Sequence, residues 1–228
     1  VFIALQFVTA PFGRHTHERW GPSVNNKLGW FLMELPSLAI MVYFLITAAE
    51  NKNSSVLVIL GLWVLHYTHR TLIYPLRMKA TAKKIPWLIV ASAIFFNLIN
   101  AGTNGYYLTQ FAPVESYGES WWVQPTTWMG GLFFFLGMYI NLKADSLLIG
   151  LRKDKETGYK IPRGFLFDWV STPNLFGEIL EWSGFALLAW NLPAFTFMIW
   201  TMANLIPRAK KHHEWYLQNF QDYPNNRK

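Results

Sequence analysis

Apolar residues in this chain gather in long blocks, without the one-sided stripes that mark a helix lying on a soluble core. A helix that crosses roughly 30 Å of hydrocarbon takes about 20 mostly apolar residues. Runs of that length, bounded by charge, Pro or Gly, occur at 29–49, 54–74, 86–106 and 126–148, with a shorter apolar run at 1–10. The block Leu175–Ile206 is too long for one ordinary span at ~1.5 Å per residue and short for two. Asn191-Leu192-Pro193 breaks it near its middle. The chain begins at Val1 inside an apolar run, so a further amino-terminal piece is expected to precede it.

Loop charge decides how that last block is counted, because Lys and Arg are retained on the cytoplasmic side. Arg14, Arg19 and Lys27 follow the first block, and Glu50–Asn53 after the second is balanced. Arg70, Arg77, Lys79, Lys83 and Lys84 surround the next connection, and only Glu115 and Glu119 charge the one after it. Lys143–Arg163 and the tail beyond Ile206 are both net basic. Both lie on the same side only if Leu175–Ile206 crosses twice. The pattern therefore predicts an all-α, polytopic membrane protein with seven transmembrane helices, the amino end outside and the carboxyl end cytoplasmic. The predicted spans are 1–10, 29–49, 54–74, 86–106, 126–148, 175–190 and 193–206, in a single domain of residues 1–228 with a cytoplasmic tail at 207–228.

Composition agrees with a life in lipid. The 228 residues are 52% hydrophobic and only 14% charged, against about 25% charged in soluble domains. With no cysteine, disulfides, thiolate metal sites and Cys nucleophiles are ruled out. The net charge of +7 is accounted for by cytoplasmic loops and calls for no nucleic acid. Nothing in the sequence calls for an obligate protein partner.

Ionisable groups at membrane depth are costly and point to function. Glu34 sits in Trp30-Phe31-Leu32-Met33-Glu34-Leu35-Pro36-Ser37, a turn and a half into its helix. A carboxylate snorkelling to the interface is its bland alternative. Leu65-His66-Tyr67-Thr68-His69-Arg70-Thr71 ends the next span, with Tyr74 one turn on. At 100° per residue Tyr67, Thr71 and Tyr74 share a face, pointing a phenol into a cavity with Arg70 and Tyr74 towards its cytoplasmic mouth. An interfacial aromatic belt is the alternative.

Asn141, Asp145 and Arg152 stand at i, i+4 and i+11, within about 40° of one helical stripe. An amide, a carboxylate and a guanidinium in that order suit a nucleotide, the first two for hydroxyls or carboxamide and the Arg for phosphate. Plain surface charge explains them equally well. Asn174, Glu178 and Glu181 on one helix, and Arg208, His212, Trp215 and Tyr216 on the last, form a third set at helical spacing. As a whole it suggests a bound polar ligand. The six histidines fall in isolated pairs, short of the spaced boxes that a di-iron oxygenase needs, so no metal is expected. Neither a Walker loop nor GxGxxG is present, and any dinucleotide must be held by helices and loops.

Taken together, Gly13-Arg14-His15, Glu34-Leu35-Pro36-Ser37, His66-Tyr67-Thr68-His69-Arg70-Thr71, Gly137-Met138-Tyr139-Ile140-Asn141, Tyr159-Lys160-Ile161-Pro162, Asn174-Leu175-Phe176-Gly177-Glu178-Ile179, Glu181-Trp182, His212-His213-Glu214-Trp215-Tyr216 and Asp222-Tyr223-Pro224 resemble the steroid 5α-reductases, the 3-oxo-5α-steroid 4-dehydrogenases, in order along the whole chain. The resemblance implies a seven-helix membrane enzyme that reduces the Δ4 double bond of a 3-oxosteroid with NADPH, by hydride transfer to C5 and protonation at C4. It implies that Glu34 and Tyr67 bind the C3 carbonyl, with Trp30 beside the substrate. It implies that Asn141, Asp145, Arg152, Tyr159, Asn174, Glu178, Arg208, His212 and Tyr216 line the NADPH site; Arg70 and Tyr74, placed at the cytoplasmic mouth by their spacing, are expected as further cofactor contacts. The steroid is expected to arrive from the bilayer of a bacterial inner membrane or the endoplasmic reticulum. Two departures stand out: Lys210-Lys211 precede the His pair where the family often has a longer His run, and Leu76–Lys84 leaves open which of Arg77, Lys79 or Lys83 meets phosphate. The competing readings are reductases of polyprenols or enoyl thioesters, an S-adenosylmethionine-dependent membrane methyltransferase, and a transporter. A transporter would carry internal repeats, and none is visible.

Overall fold

A computed structural model describes residues 21–50, 52–79, 84–151, 159–224 and 226–228. The expected span 1–10, the cofactor contact Arg152, and Lys83 lie outside the described residues. In chain order the described elements are strand β1 (Ser23–Asn25), helix α1 (Asn26–Ala48), α2 (Ser54–Arg77), strand β2 (Lys84–Pro86), α3 (Trp87–Phe111), α4 (Pro125–Gly150), α5 (Pro173–Ala189) and α6 (Leu192–Asn219). Four are long and apolar enough to cross a membrane: α1 with 23 residues, α2 with 24, α3 with 25 and α4 with 26. The apolar-run rule thus finds each helix within a few residues of its observed ends.

Beyond the expected span end at 206, α6 runs unbroken to Asn219 with Pro207 inside it, which keeps Arg208, His212, Trp215 and Tyr216 at the helical spacing read from the sequence. Hydrocarbon thickness limits the apolar run, whereas the helix continues for as long as its polar end is solvated or packed. The described residues are mostly helical, as expected, with one short strand pair beside the helices, in which β1 pairs antiparallel with β2 and Val24 lies opposite Ile85.

The described residues form two compact units, each taken by itself. The first gathers the described residues up to Trp128 with Leu188–Ala194. Here the sheet ties the starts of two helices: the Asn25 side chain accepts the Lys27 N–H at 2.9 Å as the cap of α1, and the Trp87 N–H donates to the Pro22 carbonyl at 2.9 Å. Val24, Trp30, Met33, Ile85 and Val90 fill the core beneath it. Helix α1 packs about equally on α2 and α3. Within α2, residues His69–Ile73 form a π-turn, a feature that adds a residue to the turn and often marks functional sites. The Trp30 indole donates to the Arg70 carbonyl inside it at 3.1 Å, so a carbonyl of the widened turn gains a partner from α1.

The chain reversal predicted at Asn191-Leu192-Pro193 falls at Trp190-Asn191, where Trp190 has φ +43°. The Tyr117 hydroxyl donates to the Ala189 carbonyl at 2.6 Å and the Trp121 indole to the Leu188 carbonyl at 2.9 Å, satisfying carbonyls at the end of α5. Asn191 accepts the Ala194 N–H at 2.9 Å and so caps α6, while its amide donates to Tyr117 at 3.1 Å. Ser55 in turn donates to the Tyr117 carbonyl.

The second unit gathers Met129–Leu187 and Phe195–Lys228. Its helices α4 and α5 touch backbone to backbone at glycines seven residues apart on each. A Cβ on Gly137 would lie 2.3 Å from the Glu181 nitrogen, and one on Gly184 2.3 Å from the Phe134 nitrogen and 2.6 Å from the Gly130 carbonyl oxygen. Small residues allow this approach, which lets buried helices gain packing where lipid offers no hydrophobic drive. Trp182 packs on Phe197 at 4.4 Å and joins α6 to the pair. The carboxyl end folds back onto residues 162–171: Tyr223 donates to Ser171 at 2.7 Å, Arg227 to the Pro162 carbonyl at 2.9 Å, and the Lys228 N–H to the Trp169 carbonyl at 3.0 Å.

Candidate active site

In the first unit the sequence-expected pair is carried by α1 and α2. Tyr67 is 5% exposed and stacks on Trp63, with ring centroids 5.5 Å apart and planes at 17°. The Trp63 indole donates to Ser37 at 3.0 Å, which fixes the stack against α1. The Tyr67 hydroxyl donates to Asn97 Oδ1 on α3 at 3.5 Å, and Asn97 Nδ2 donates to the Met33 carbonyl at 2.7 Å. Glu34 follows Met33 directly and is half-buried. Pro36 lies inside α1; it has no N–H for the Leu32 carbonyl and its ring crowds that carbonyl. The polar chain from Tyr67 through Asn97 therefore ends on the helix turn that bears Glu34.

One turn along α2, Arg70 lies over the Trp30 ring at 4.6 Å and the Tyr74 ring at 5.1 Å, and those two rings are 5.0 Å apart. Trp30, Arg70 and Tyr74, each named from sequence, form one stack. The π-turn also holds His69 and Thr71, both buried; neither ring nitrogen of His69 nor the Thr71 hydroxyl has a hydrogen-bond partner among the described residues.

In the second unit Asn141 and Asp145, two of the three members of the expected ladder, meet Asn174 of the third set across the glycine crossing. Asn141 and Asp145 are 3% and 4% exposed. Asn141 Nδ2 donates to the Asn174 carbonyl at 2.9 Å, and Asn174 Nδ2 donates to Asp145 Oδ1 at 3.1 Å. The Asn141 nitrogen is also 2.6 Å from the position of a Cβ on Gly177, so the crossing itself presses the two amides together. Glu178 is half-buried one turn after Asn174, and Glu181 is 0% exposed. Along α6, Arg208 and His212 are half-buried and Tyr216 is buried, spaced i, i+4 and i+8 on one stripe. Tyr216 stacks on Tyr223 at 5.1 Å with planes at 8°, and Tyr159 meets Trp215 edge-on at 5.1 Å. Amides, carboxylates, a guanidinium and an imidazole are the donor and acceptor types that a dinucleotide needs. No group of three or more His, Asp or Glu able to hold a metal occurs among the described residues.

Sequence reasoning missed Asn97, Ser37 and Trp63. A signal for the first is present: Asn97, Asn100 and Asn104 recur at i, i+3 and i+7 in an otherwise apolar span, and all three are buried.

Residues 83–228 match the sequence family described as 3-oxo-5-alpha-steroid 4-dehydrogenase. The chain is 41% identical to 3-oxo-5-alpha-steroid 4-dehydrogenase 1 of Mus musculus, over all of this chain and 88% of that protein. It is 40% identical to steroid 5-alpha-reductase DET2 of Solanum lycopersicum, again over all of this chain and 88% of the relative. The human 3-oxo-5-alpha-steroid 4-dehydrogenase 1 is 38% identical over all of this chain and 87% of its own length. Long apolar helices, a buried phenol linked through Asn97 to the helix turn of a half-buried carboxyl, and a ladder of amides and carboxylates thus occur in a chain related over its full length to these proteins, and the chain belongs to the 3-oxo-5-alpha-steroid 4-dehydrogenase family.

Proposed function

We propose that this chain is an integral-membrane oxidoreductase that reduces the Δ4 double bond of 3-oxo-Δ4-steroids to 5α-reduced 3-oxosteroids with NADPH. The observation that carries the reading is the buried Tyr67 hydroxyl, held by α3 on the helix turn of Glu34, in a chain of this family. An isolated alkene does not accept hydride. One conjugated to a carbonyl does, provided that the negative charge developing on oxygen is stabilised.

Tyr67 donates its O–H to the C3 oxygen, and Glu34 orients that hydroxyl or donates to the same oxygen. Trp30 and Trp63 supply flat apolar surface for the rings and exclude water, which strengthens these hydrogen bonds. NADPH, when bound, supplies the hydride that C5 receives. The C4–C5 π electrons move to form the C3 enolate, C4 takes a proton, and the C3 carbonyl is restored. Asn141 and Asn174 suit the carboxamide, Asp145 and Glu178 suit ribose hydroxyls, and Arg208, Arg152 and Arg70 suit phosphates, with His212, Tyr159, Tyr74 and Tyr216 as flanking donors and rings.

The same reading takes α1 to α4, the α5–α6 hairpin and the run 1–10 as seven spans, amino end outside and carboxyl end cytoplasmic. The steroid enters from the bilayer. Purified protein in detergent is expected to consume enone absorbance of testosterone or progesterone in the presence of NADPH. Tyr67→Phe and Glu34→Gln are expected to lower turnover greatly while NADPH still binds; a near wild-type rate in either variant refutes the assignment of that residue.

A further inference from the structure

The proposed reaction assigns no role to Asn97, yet its side chain bonds the Tyr67 hydroxyl on α2 and the Met33 carbonyl next to Glu34 on α1. It is 5% exposed, at membrane depth on α3, where no water replaces a lost partner. Its Nδ2 donates to the Met33 carbonyl at 2.7 Å, a well-formed bond that decides which end of the amide faces α2. The end that faces Tyr67 is therefore the oxygen, at 3.5 Å from the hydroxyl. A carboxamide oxygen only accepts, so in this contact the phenol is the donor.

We propose that Asn97 is a positioning residue for the reduction: it holds the Tyr67 hydroxyl as a pre-aimed proton donor and fixes it to the α1 turn that carries Glu34. The inference rests on the Glu34 and Tyr67 reading above. At 3.5 Å the contact with Asn97 is longer than a well-formed O–H···O bond, which on an enone oxygen closes to about 2.7–2.8 Å. The hydroxyl therefore exchanges Asn97 for the substrate oxygen at little cost, and it does so from a rotamer already selected. Trp63, stacked on the ring and bonded to Ser37, removes the remaining freedom of the phenol. The benefit grows as charge develops on the C3 oxygen, so the effect belongs in kcat.

The test is a double-mutant cycle in the full-length protein with NADPH and testosterone, read by single-turnover rates. Asn97→Leu fills similar space without either hydrogen bond, and kcat is expected to fall roughly 10- to 100-fold with KM and NADPH affinity within about threefold. In a Tyr67→Phe background the same change is expected to cost almost nothing further, because there is no hydroxyl left to aim. Where the Leu variant does not fold, Asn97→Ala, which introduces no clash, carries the same comparison. Losses that multiply in the double variant, or a single variant with unchanged kcat, overturn the proposal for Asn97 and leave the Tyr67 reading standing. A Tyr67→Phe variant at near wild-type rate overturns both.

Discussion

The proposed cofactor ladder stands on a backbone crossing with no room for a single methyl group, and Gly137→Ala tests that dependence. The added Cβ would lie 2.3 Å from the Glu181 nitrogen and 2.6 Å from the Gly177 carbonyl oxygen, against the 3.4 Å at which ordinary contact begins. These obstacles are backbone, so α4 and α5 must separate by roughly 1 Å, and such overpacking typically costs about 1–3 kcal/mol. The Asn141–Asn174 and Asn174–Asp145 bonds at 2.9 and 3.1 Å would then lengthen beyond useful range. With each worth about 1 kcal/mol, NADPH affinity is expected to fall roughly 10- to 30-fold. Gly131→Ala on the same helix is the control, because a Cβ there meets nothing within 4 Å. Alanine is also favoured in a helix over glycine by up to about 1 kcal/mol, so that variant should be neutral or slightly stabilised. NADPH titration and thermal unfolding in one detergent read both variants. Wild-type affinity and melting in Gly137→Ala, or equal damage from Gly131→Ala, would refute the argument.

Two other perturbations address different parts of the molecule. Asn174→Leu removes the donor to Asp145 and should raise the KM for NADPH about tenfold with kcat within roughly threefold; initial-rate kinetics at saturating steroid check it. Tyr117→Phe strips a partner from the Ala189 carbonyl and the Asn191 amide and should cost about 1–3 kcal/mol by thermal or urea unfolding. Burial pushes the Tyr117 phenol above its ordinary 10.0. The folded state therefore holds a proton that the unfolded chain releases, so this stabilisation is complete below about pH 10 and is lost as pH rises further. Wild-type protein should lose more stability than Tyr117→Phe between about pH 8 and 11, and parallel losses would contradict the sign.

Much of the helical layout was legible because lipid imposes simple rules. Block length gave α1 to α4, and Asn191 before Leu192-Pro193 marked the α5–α6 turn, where the structure finds the asparagine capping α6. Asn141 with Asp145, and Asn174 in a separate set, could be read because i and i+4 spacing survives in any helix, but their meeting depends on the seven-residue glycine spacing that brings α4 and α5 into contact. The π-turn at His69–Ile73 left no pattern: it is sustained by tertiary partners such as the Trp30 indole on the Arg70 carbonyl. The β1–β2 pair is three residues a side, too short for an alternating signature. Asn97 stands out less than Glu34 in sequence because an uncharged amide at membrane depth costs less than a carboxylate.

Position of the transferred hydrogen is the most direct test of the proposed chemistry. Purified protein would be given NADPH deuterated on the transferring face of the nicotinamide, testosterone and ordinary water, and the product analysed by mass spectrometry and NMR. Deuterium at C5 in the 5α configuration, with a solvent-derived hydrogen at C4 and the C3 ketone intact, is the predicted result. Deuterium at C3 or C4, or no transfer to an enone steroid at all, would contradict the account.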